Sequence, residues 1–501
     1  MSLMGIKAYI AKHYAAFLVN KSKKTVLHPI DAQRRVFKDL ISRAHDTKFG
    51  KDHQFSLISD YESFKKNVPL REYEDFKIYI DAMLNEEENV LWPGFPIYIC
   101  KTSGTTSGAK FIPISKESIS NHINSAKLAL LYYIHSTGKS DFVDGKMIFL
   151  QGSPLLDIKG KIKLGRLSGI VANHVPKYLQ KNRLPSMKTN CIEDWETKVD
   201  EIVKETKAED LRLISGIPSW VQMYFERLIK SADQPDIKSI FPNFSLFVYG
   251  GVNFEPYRPV FQKLIGKSIP SVETYPASEG FIAFQDEQNS EGLLLVVNDG
   301  IFYEFIPTSE YGSENPTRLS LAQVKLGVNY AIVLNTNAGL WGYVIGDTVK
   351  FVSKKPYRIV VSGRIKHFTS AFGEHVIGEE VEKALKMAMQ KQGGSIKEFH
   401  VSPQIKPFDG LPYHEWFIEF EEQPKDPIEF SKEIDNALQD QNVYYKDLIT
   451  GKVLRPLVIN ELNKEAFMNA MKSKGKLGGQ NKIPRLANDR QFAQELEKYK
   501  K

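Results

Sequence analysis

The chain has 501 residues, 42% hydrophobic and 25% charged with 33 glycines, which is the composition of a packed globular protein and excludes a disordered one. At about 150 residues per domain, the length allows two to four domains, or one large domain and a smaller one. A net charge of +7, from 67 Lys and Arg against 60 Asp and Glu, is too dilute for a duplex-binding face, so no nucleic-acid partner is expected.

The N-terminal stretch is amphipathic, and Lys7, Lys12 and His13 interrupt any apolar core that a signal peptide would need. No run of 18 apolar residues occurs, so neither a spanning helix nor a membrane partner is expected. Residues 31–45 carry helical spacing, with Val36, Leu40 and Ile41 on one side, before a charged, turn-rich stretch. Short aliphatic runs of strand length follow at 147–150, 211–214, 246–249, 293–297, 302–306, 331–334 and 349–352. Helical patterns lie between several of them, at Ile119, Ile123, Ala126, Leu130 and Tyr133 and again over 195–203, so the fold class is α/β. Beyond about residue 362 the order becomes helix, strand, strand, helix, strand, helix, a separate α+β unit. The boundary falls in Ser362-Gly363-Arg364-Ile365-Lys366, dividing the chain into 1–362 and 363–501. The two cysteines, Cys100 and Cys191, form no C-x-x-C, which leaves no disulfide framework and makes a reducing, cytoplasmic location the default. Nothing in the sequence specifies an oligomeric state.

Residues 101–110 read K-T-S-G-T-T-S-G-A-K. Glycines let the backbone approach a ligand with its N–H groups turned inward, hydroxyls add donors and lysine offsets charge, a combination suited to a polyphosphate such as ATP. The spacing is not that of a Walker A loop, which disfavours P-loop chemistry. Residues 275–280, Y-P-A-S-E-G, combine an aromatic able to stack on a purine with a carboxylate and hydroxyl able to hold Mg2+. Residues 343–347, Y-V-I-G-D, end in a carboxylate that could accept ribose hydroxyls.

Taken in order with S-G-R-I-K and with G-G-Q-N-K-I-P-R at 478–485, these stretches resemble the motif set of the acyl-adenylate-forming superfamily. The stretches T-K-F-G-K (47–51), L-W-P-G (91–94), G-I-P-S-W (216–220), N-T-N-A-G-L-W (335–341) and G-K-L-G-G-Q-N-K-I-P-R-L (475–486) resemble the Gretchen Hagen family of acyl acid amido synthetases. That resemblance implies a large N-terminal α/β adenylate-forming domain and a smaller, mobile C-terminal α+β domain. It also implies ATP- and Mg2+-dependent activation of a carboxylic acid as an acyl-adenylate, followed by transfer to an amine, an amino acid in the family. The remaining alternatives are transfer to coenzyme A and a nucleotide-binding scaffold without catalysis.

By the same resemblance Ser103, Gly104, Thr105, Thr106, Ser107 and Gly108 hold the phosphates. Gly250 and Gly251 form a wall for the base, Tyr275 stacks on adenine, Ser278 neighbours the α-phosphate, and Glu279 is the Mg2+ ligand. Asp347 takes the ribose hydroxyls, and Lys482 bridges the acyl carboxylate and α-phosphate during adenylation. The family's third motif usually reads Tyr-Arg-x-Gly-Asp, but Val344 and Ile345 stand here, so Arg364 or another residue must supply the cation if that role exists. A second departure is Pro276, where a small residue is usual. For the acyl pocket, Tyr132, His174 and Ser219 are the candidates.

Overall fold

The structure of the chain, a computed structural model, describes residues 5–102, 110–175, 180–251, 254, 257–365, 368–369, 376–405, 407–450, 453–477, 482–487 and 489–501. It divides into two compact units: the first comprises Met1–Val252, Ser268–Ile345 and Val349–Val360, the second Asn253–Lys267, Gly346–Thr348 and Val361–Lys501.

Most of the first unit is built on a twelve-stranded sheet. Five of its strands, Arg183–Leu184, Lys146–Phe149, Leu211–Ser215, Leu246–Gly250 and Ser271–Ala277, are neighbours in parallel, with Met147 opposite Leu213, Leu213 opposite Leu246 and Phe247 opposite Ser271. Parallel neighbours need crossovers, and the helices Trp195–Thr206 and Pro218–Ala232 lie on such connections. Asp194 starts the first of these helices by accepting from Thr197 N–H at 2.8 Å, an N-cap that satisfies one of the helix's unpaired donors. Val199, Ile202 and Val203 face inward from it. Beyond Ser271–Ala277 the sheet turns antiparallel through Gly280–Phe284, Leu293–Leu295 and Tyr357–Arg364.

A smaller four-stranded sheet holds Tyr98–Thr102 between Lys110–Ile114, antiparallel, and Ile162–Gly165, parallel. Thr102 lies opposite Lys110, so the two ends of the glycine-rich segment are side by side. The long helix Lys116–Thr137 begins in a Ser115 capping box and ends at Gly138, whose φ of 70° is the left-handed conformation common after helix ends. It packs beside the N-terminal helix Ile6–Val26 in one apolar cluster.

The second unit is a three-stranded sheet, Ser395–Gln404, Tyr413–Glu422 and Val458–Glu461, with apolar clusters on both faces. Trp416, Ile418 and Phe420 pack in the cluster formed with the helices Gly378–Gln392 and Pro427–Gln441, and Phe417 in the cluster with Ala466–Ser473 and Gln491–Leu496. Alternation along one strand therefore builds both layers. The α/β class read from the sequence holds for the first unit; in the second, the expected order helix, strand, strand, helix, strand, helix is present with a short hairpin, Phe368–Thr369 and Val376–Ile377, ahead of it and a further helix, Val443–Thr450, before the third strand.

Candidate active site

In the first unit the glycine-rich residues Ser103, Gly104, Thr105, Thr106, Ser107 and Gly108 lie outside the described residues. The strand that leads into them carries Cys100, whose thiol donates to Ser278 Oγ at 3.2 Å. Burial pushes that thiol up to about 12, so Cys100 is an uncharged donor at neutral pH. Ser278 and Glu279 form the two-residue turn joining Ser271–Ala277 to Gly280–Phe284, with Ala277 opposite Gly280. Tyr343 Oη donates to Glu279 Oε1 at 3.4 Å. The structure thus joins pieces of three motifs from distant parts of the chain: the strand before the glycine-rich segment, the Y-P-A-S-E turn and the tyrosine of Y-V-I-G-D. Neither Cys100 nor Tyr343 is assigned a role by the sequence, although Cys100 flanks one motif and Tyr343 opens another.

Gly250 ends the strand Leu246–Gly250, and a Cβ there would sit 2.5 Å from the carbonyl oxygen of Thr274. Gly251 has φ 84°, a conformation that favours glycine. Both lie at a carboxyl edge of the parallel strands, where ligands bind in open α/β sheets. Tyr275 is buried in the core of the first unit, with its ring enclosed. The half-buried Glu279 presents one hard carboxylate, and among the described residues no group of three His, Cys, Asp or Glu side chains forms a metal cage. That donor set suits Mg2+, which binds through one or two carboxylates, substrate phosphates and water.

The acyl-pocket candidates have different partners. Tyr132 is buried, donating to Ser22 Oγ at 3.3 Å and packing on Phe284, so it serves the core around the N-terminal helix. His174 is half-buried and pairs through Nε2 with Tyr98 Oη at 2.9 Å. Burial, and secondarily Lys163, lowers its pKa, which keeps the ring neutral. Ser219 lies on the first turn of Pro218–Ala232. Beyond the strand Lys146–Phe149, buried Lys198 donates to the carbonyls of Gln151 at 3.0 Å and Asn190 at 2.6 Å. Desolvation pushes its ammonium down to about 8.

In the second unit Arg364 Nε donates to Asp347 Oδ1 at 2.8 Å. The pairing follows from strand geometry: Ile365 N–H donates to Gly346 carbonyl at 2.7 Å, and Ser362 Oγ to Thr348 Oγ1 at 2.9 Å. Gly346, at φ 93°, turns the chain just before the aspartate. Lys482 interacts electrostatically with both groups. Desolvation is the largest influence and lowers its pKa, Asp347 opposes the shift and Arg364 adds to it, although the residue stays open to water. Asp347, Arg364 and Lys482 come from three motifs up to 135 positions apart (482 − 347) and form one charged group.

The segment carrying Lys482 is held firmly. Arg485 carbonyl accepts from Val401 N–H at 2.8 Å and Ala487 N–H donates back to Val401 at 3.0 Å, giving a parallel bridge between Val401 and Leu486. The buried Arg485 guanidinium donates from Nε to Glu398 and from Nη1 to Glu382, each at 2.9 Å, and stacks on Tyr257 and Phe399. Tyr257 Oη donates to Glu398 at 2.6 Å.

In fold, the chain is similar to solved adenylate-forming enzymes. A 2-hydroxyisobutyryl-CoA ligase in the postadenylation state superposes with a TM-score of 0.56 at 13% identity, covering 95% of this chain and 92% of that one. AtGH3.15 acyl acid amido synthetase, in complex with 2,4-DB, superposes with a TM-score of 0.81 at 16% identity, covering 98% and 96%. The fold is that of the acyl-adenylate-forming class.

Residues 19–173 match the GH3 family N-terminal domain, 294–364 its central domain and 379–491 its C-terminal domain; the chain belongs to the GH3 family, the Gretchen Hagen family of the sequence resemblance. Among curated proteins it is 23% identical to the indole-3-acetic acid-amido synthetase GH3.15 of Arabidopsis thaliana, over 93% of this chain and 91% of that protein. It is 24% identical to the jasmonoyl-L-amino acid synthetase JAR4 of Nicotiana attenuata, over 64% of this chain and 66% of that protein.

Proposed function

We propose that this protein is an acyl acid amido synthetase: it adenylates a carboxylic acid with ATP and passes the acyl group to an amine, an amino acid. A carboxylate oxygen attacks the α-phosphorus and pyrophosphate leaves; the amine then attacks the acyl carbon, AMP leaves with the C–O bond pair, and the nitrogen loses a proton. The chief demand is stabilising negative charge as it moves, which preorganised donors do well. The observation that carries this reading is the group Asp347, Arg364 and Lys482 in one unit of a GH3-family chain.

In this mechanism Asp347 accepts the ribose hydroxyls, with Arg364 fixing its carboxylate in place of the arginine missing from the third motif. Lys482 bridges the acyl carboxylate and α-phosphate in the first step only. The residues of the glycine-rich segment bind the β- and γ-phosphates, Ser278 lies by the α-phosphate, and Gly250 and Gly251 admit the base. Glu279 would hold Mg2+, which supplies charge neutralisation to the phosphates when bound.

The test is acid-dependent exchange of pyrophosphate into ATP, followed by product analysis with an amino acid or with coenzyme A as acceptor. Amide product supports the reading. Thioester product replaces it with a CoA ligase, and bound nucleotide without exchange for any acid in a broad panel leaves a non-catalytic scaffold.

A further inference from the structure

The N-terminal helix Ile6–Val26 packs through Ala8, Ala15 and Val19. The side opposite a packed face is ordinarily polar. Here it carries Ile6, Tyr9, Ile10, Tyr14 and Phe17, with Ile6 81%, Ile10 60% and Phe17 66% exposed. These positions recur every three or four residues and so form one stripe. The last two turns of the same helix continue it with Lys21 and Lys24, while Lys7, Lys12 and Lys23 add positive charge along the helix. None of the five lysines is ion-paired among the described residues, Lys23 alone hydrogen-bonding through Nζ to His135 Nε2 at 3.4 Å, and the first acidic residue of the chain is Asp31. Asp144 caps the helix start, accepting from Gly5 and Ala8 N–H at 3.1 and 3.3 Å, so the helix is anchored at the end where the stripe begins.

We infer that this helix lies on an anionic lipid surface, its apolar stripe inserted at the level of the headgroups and its lysines on the phosphates. An interfacial helix has this combination of an apolar face with aromatic residues and a basic border. Charge decides against a second copy of the chain, because pairing two such helices would bring together ten lysines that no carboxylate of the described residues neutralises. The high exposure of Ile6 and Phe17 means that they stand proud of the surface; a protein partner would have to supply a groove for them, whereas a bilayer needs none. The inference departs from the sequence-based expectation of no membrane partner: that expectation tested for a spanning segment, and no helix of the described residues is long and apolar enough to cross. A helix lying in the interface needs no such length.

The test is flotation of the full chain with vesicles of phosphatidylcholine alone and of equal parts phosphatidylcholine and phosphatidylglycerol. The expected result is binding to the mixed vesicles only, weakening as salt is raised. Ile10→Glu with Phe17→Glu should lower binding roughly tenfold or more, and Lys21→Gln with Lys23→Gln and Lys24→Gln should weaken it and flatten the salt dependence. Both variants should keep the thermal melting of the parent, since the substituted side chains are exposed. Absence of binding to mixed vesicles, or equal binding by parent and Ile10→Glu/Phe17→Glu, overturns the inference. So does a concentration-dependent dimer, seen by sedimentation, that this double variant abolishes, or binding to soluble polyglutamate as tight as to the vesicles.

Discussion

Replacing Arg485 by Met removes the cation that Glu398 and Glu382 share. The side chains concerned are 12%, 7% and 18% exposed, so the two carboxylates would be left in a poorly hydrated site without their shared cation, Glu398 keeping Tyr257 Oη and Phe399 N–H as donors. Breaking a buried pair by deleting one partner costs about 3–5 kcal/mol, because the remaining charge is uncompensated. Divided by a urea dependence of roughly 2 kcal/mol per molar, this is a fall in midpoint of about 2 M. The assay is urea unfolding of the full chain followed by hydrogen exchange on the strand Ser395–Gln404, which reports the second unit alone. Adding Glu398→Gln should recover about half of the loss, since it removes the charge of the less exposed of the two carboxylates. Salt should change neither result much, because buried pairs are weakly screened. A midpoint change below about 0.5 M for Arg485→Met would mean that water solvates the carboxylates in the folded protein, and the cluster would then not be what fixes the Lys482 segment.

Arg364→Ala should behave in the opposite manner: its guanidinium is 45% exposed, so the pair with Asp347 contributes about 1 kcal/mol or less to stability, while KM for ATP should rise roughly tenfold; an unchanged KM would remove Arg364 from the site. Lys198 has an ammonium pKa of about 8 against 10.5 for the free side chain. The unfolded chain therefore binds more protons between those values, and stability should rise as pH rises through that window. Chemical denaturation should show that rise in the parent and its loss in Lys198→Met; parallel pH profiles would refute it. Gly250→Ala places a Cβ 2.5 Å from the Thr274 carbonyl oxygen and should cost roughly 1–3 kcal/mol in a thermal or urea melt, with weaker nucleotide binding by calorimetry. Tolerance of alanine on both counts would show that the strands separate freely there.

Local order was well marked in the sequence. Helical spacing at Ile119, Ile123, Ala126 and Leu130 lies within Lys116–Thr137, although the buried face of that helix runs through Ile119, His122, Ser125, Ala129 and Tyr133, and the aliphatic run at 211–214 is the core of Leu211–Ser215. Motif pairs that share a strand ladder, such as Asp347 and Arg364, were approachable because the missing arginine demanded a substitute cation. Contacts set by tertiary packing were not. Arg485, Glu398 and Tyr257 are distant in sequence and leave no spacing signal, and nothing in 253–267 marks it as part of the unit that otherwise comprises Gly346–Thr348 and Val361–Lys501. The spacing of Tyr132 on its helix fits a core position as well as a pocket, and burial places it in the core. The outward stripe of Ile6–Val26 was not legible, because apolar residues lie on both sides of that helix and which face is packed had to come from the fold.

The most direct test of the central claim is to measure both half-reactions of Lys482→Ala. Losing a preorganised charge at the developing phosphoryl and acyl centres should lower acid-dependent pyrophosphate exchange by roughly 10²–10³, while consumption of a supplied acyl-adenylate by the amino acid should stay within roughly twofold of the parent, since no adenylation barrier remains for Lys482 to lower. Equal loss in both half-reactions, or exchange undiminished in the variant, would contradict the account.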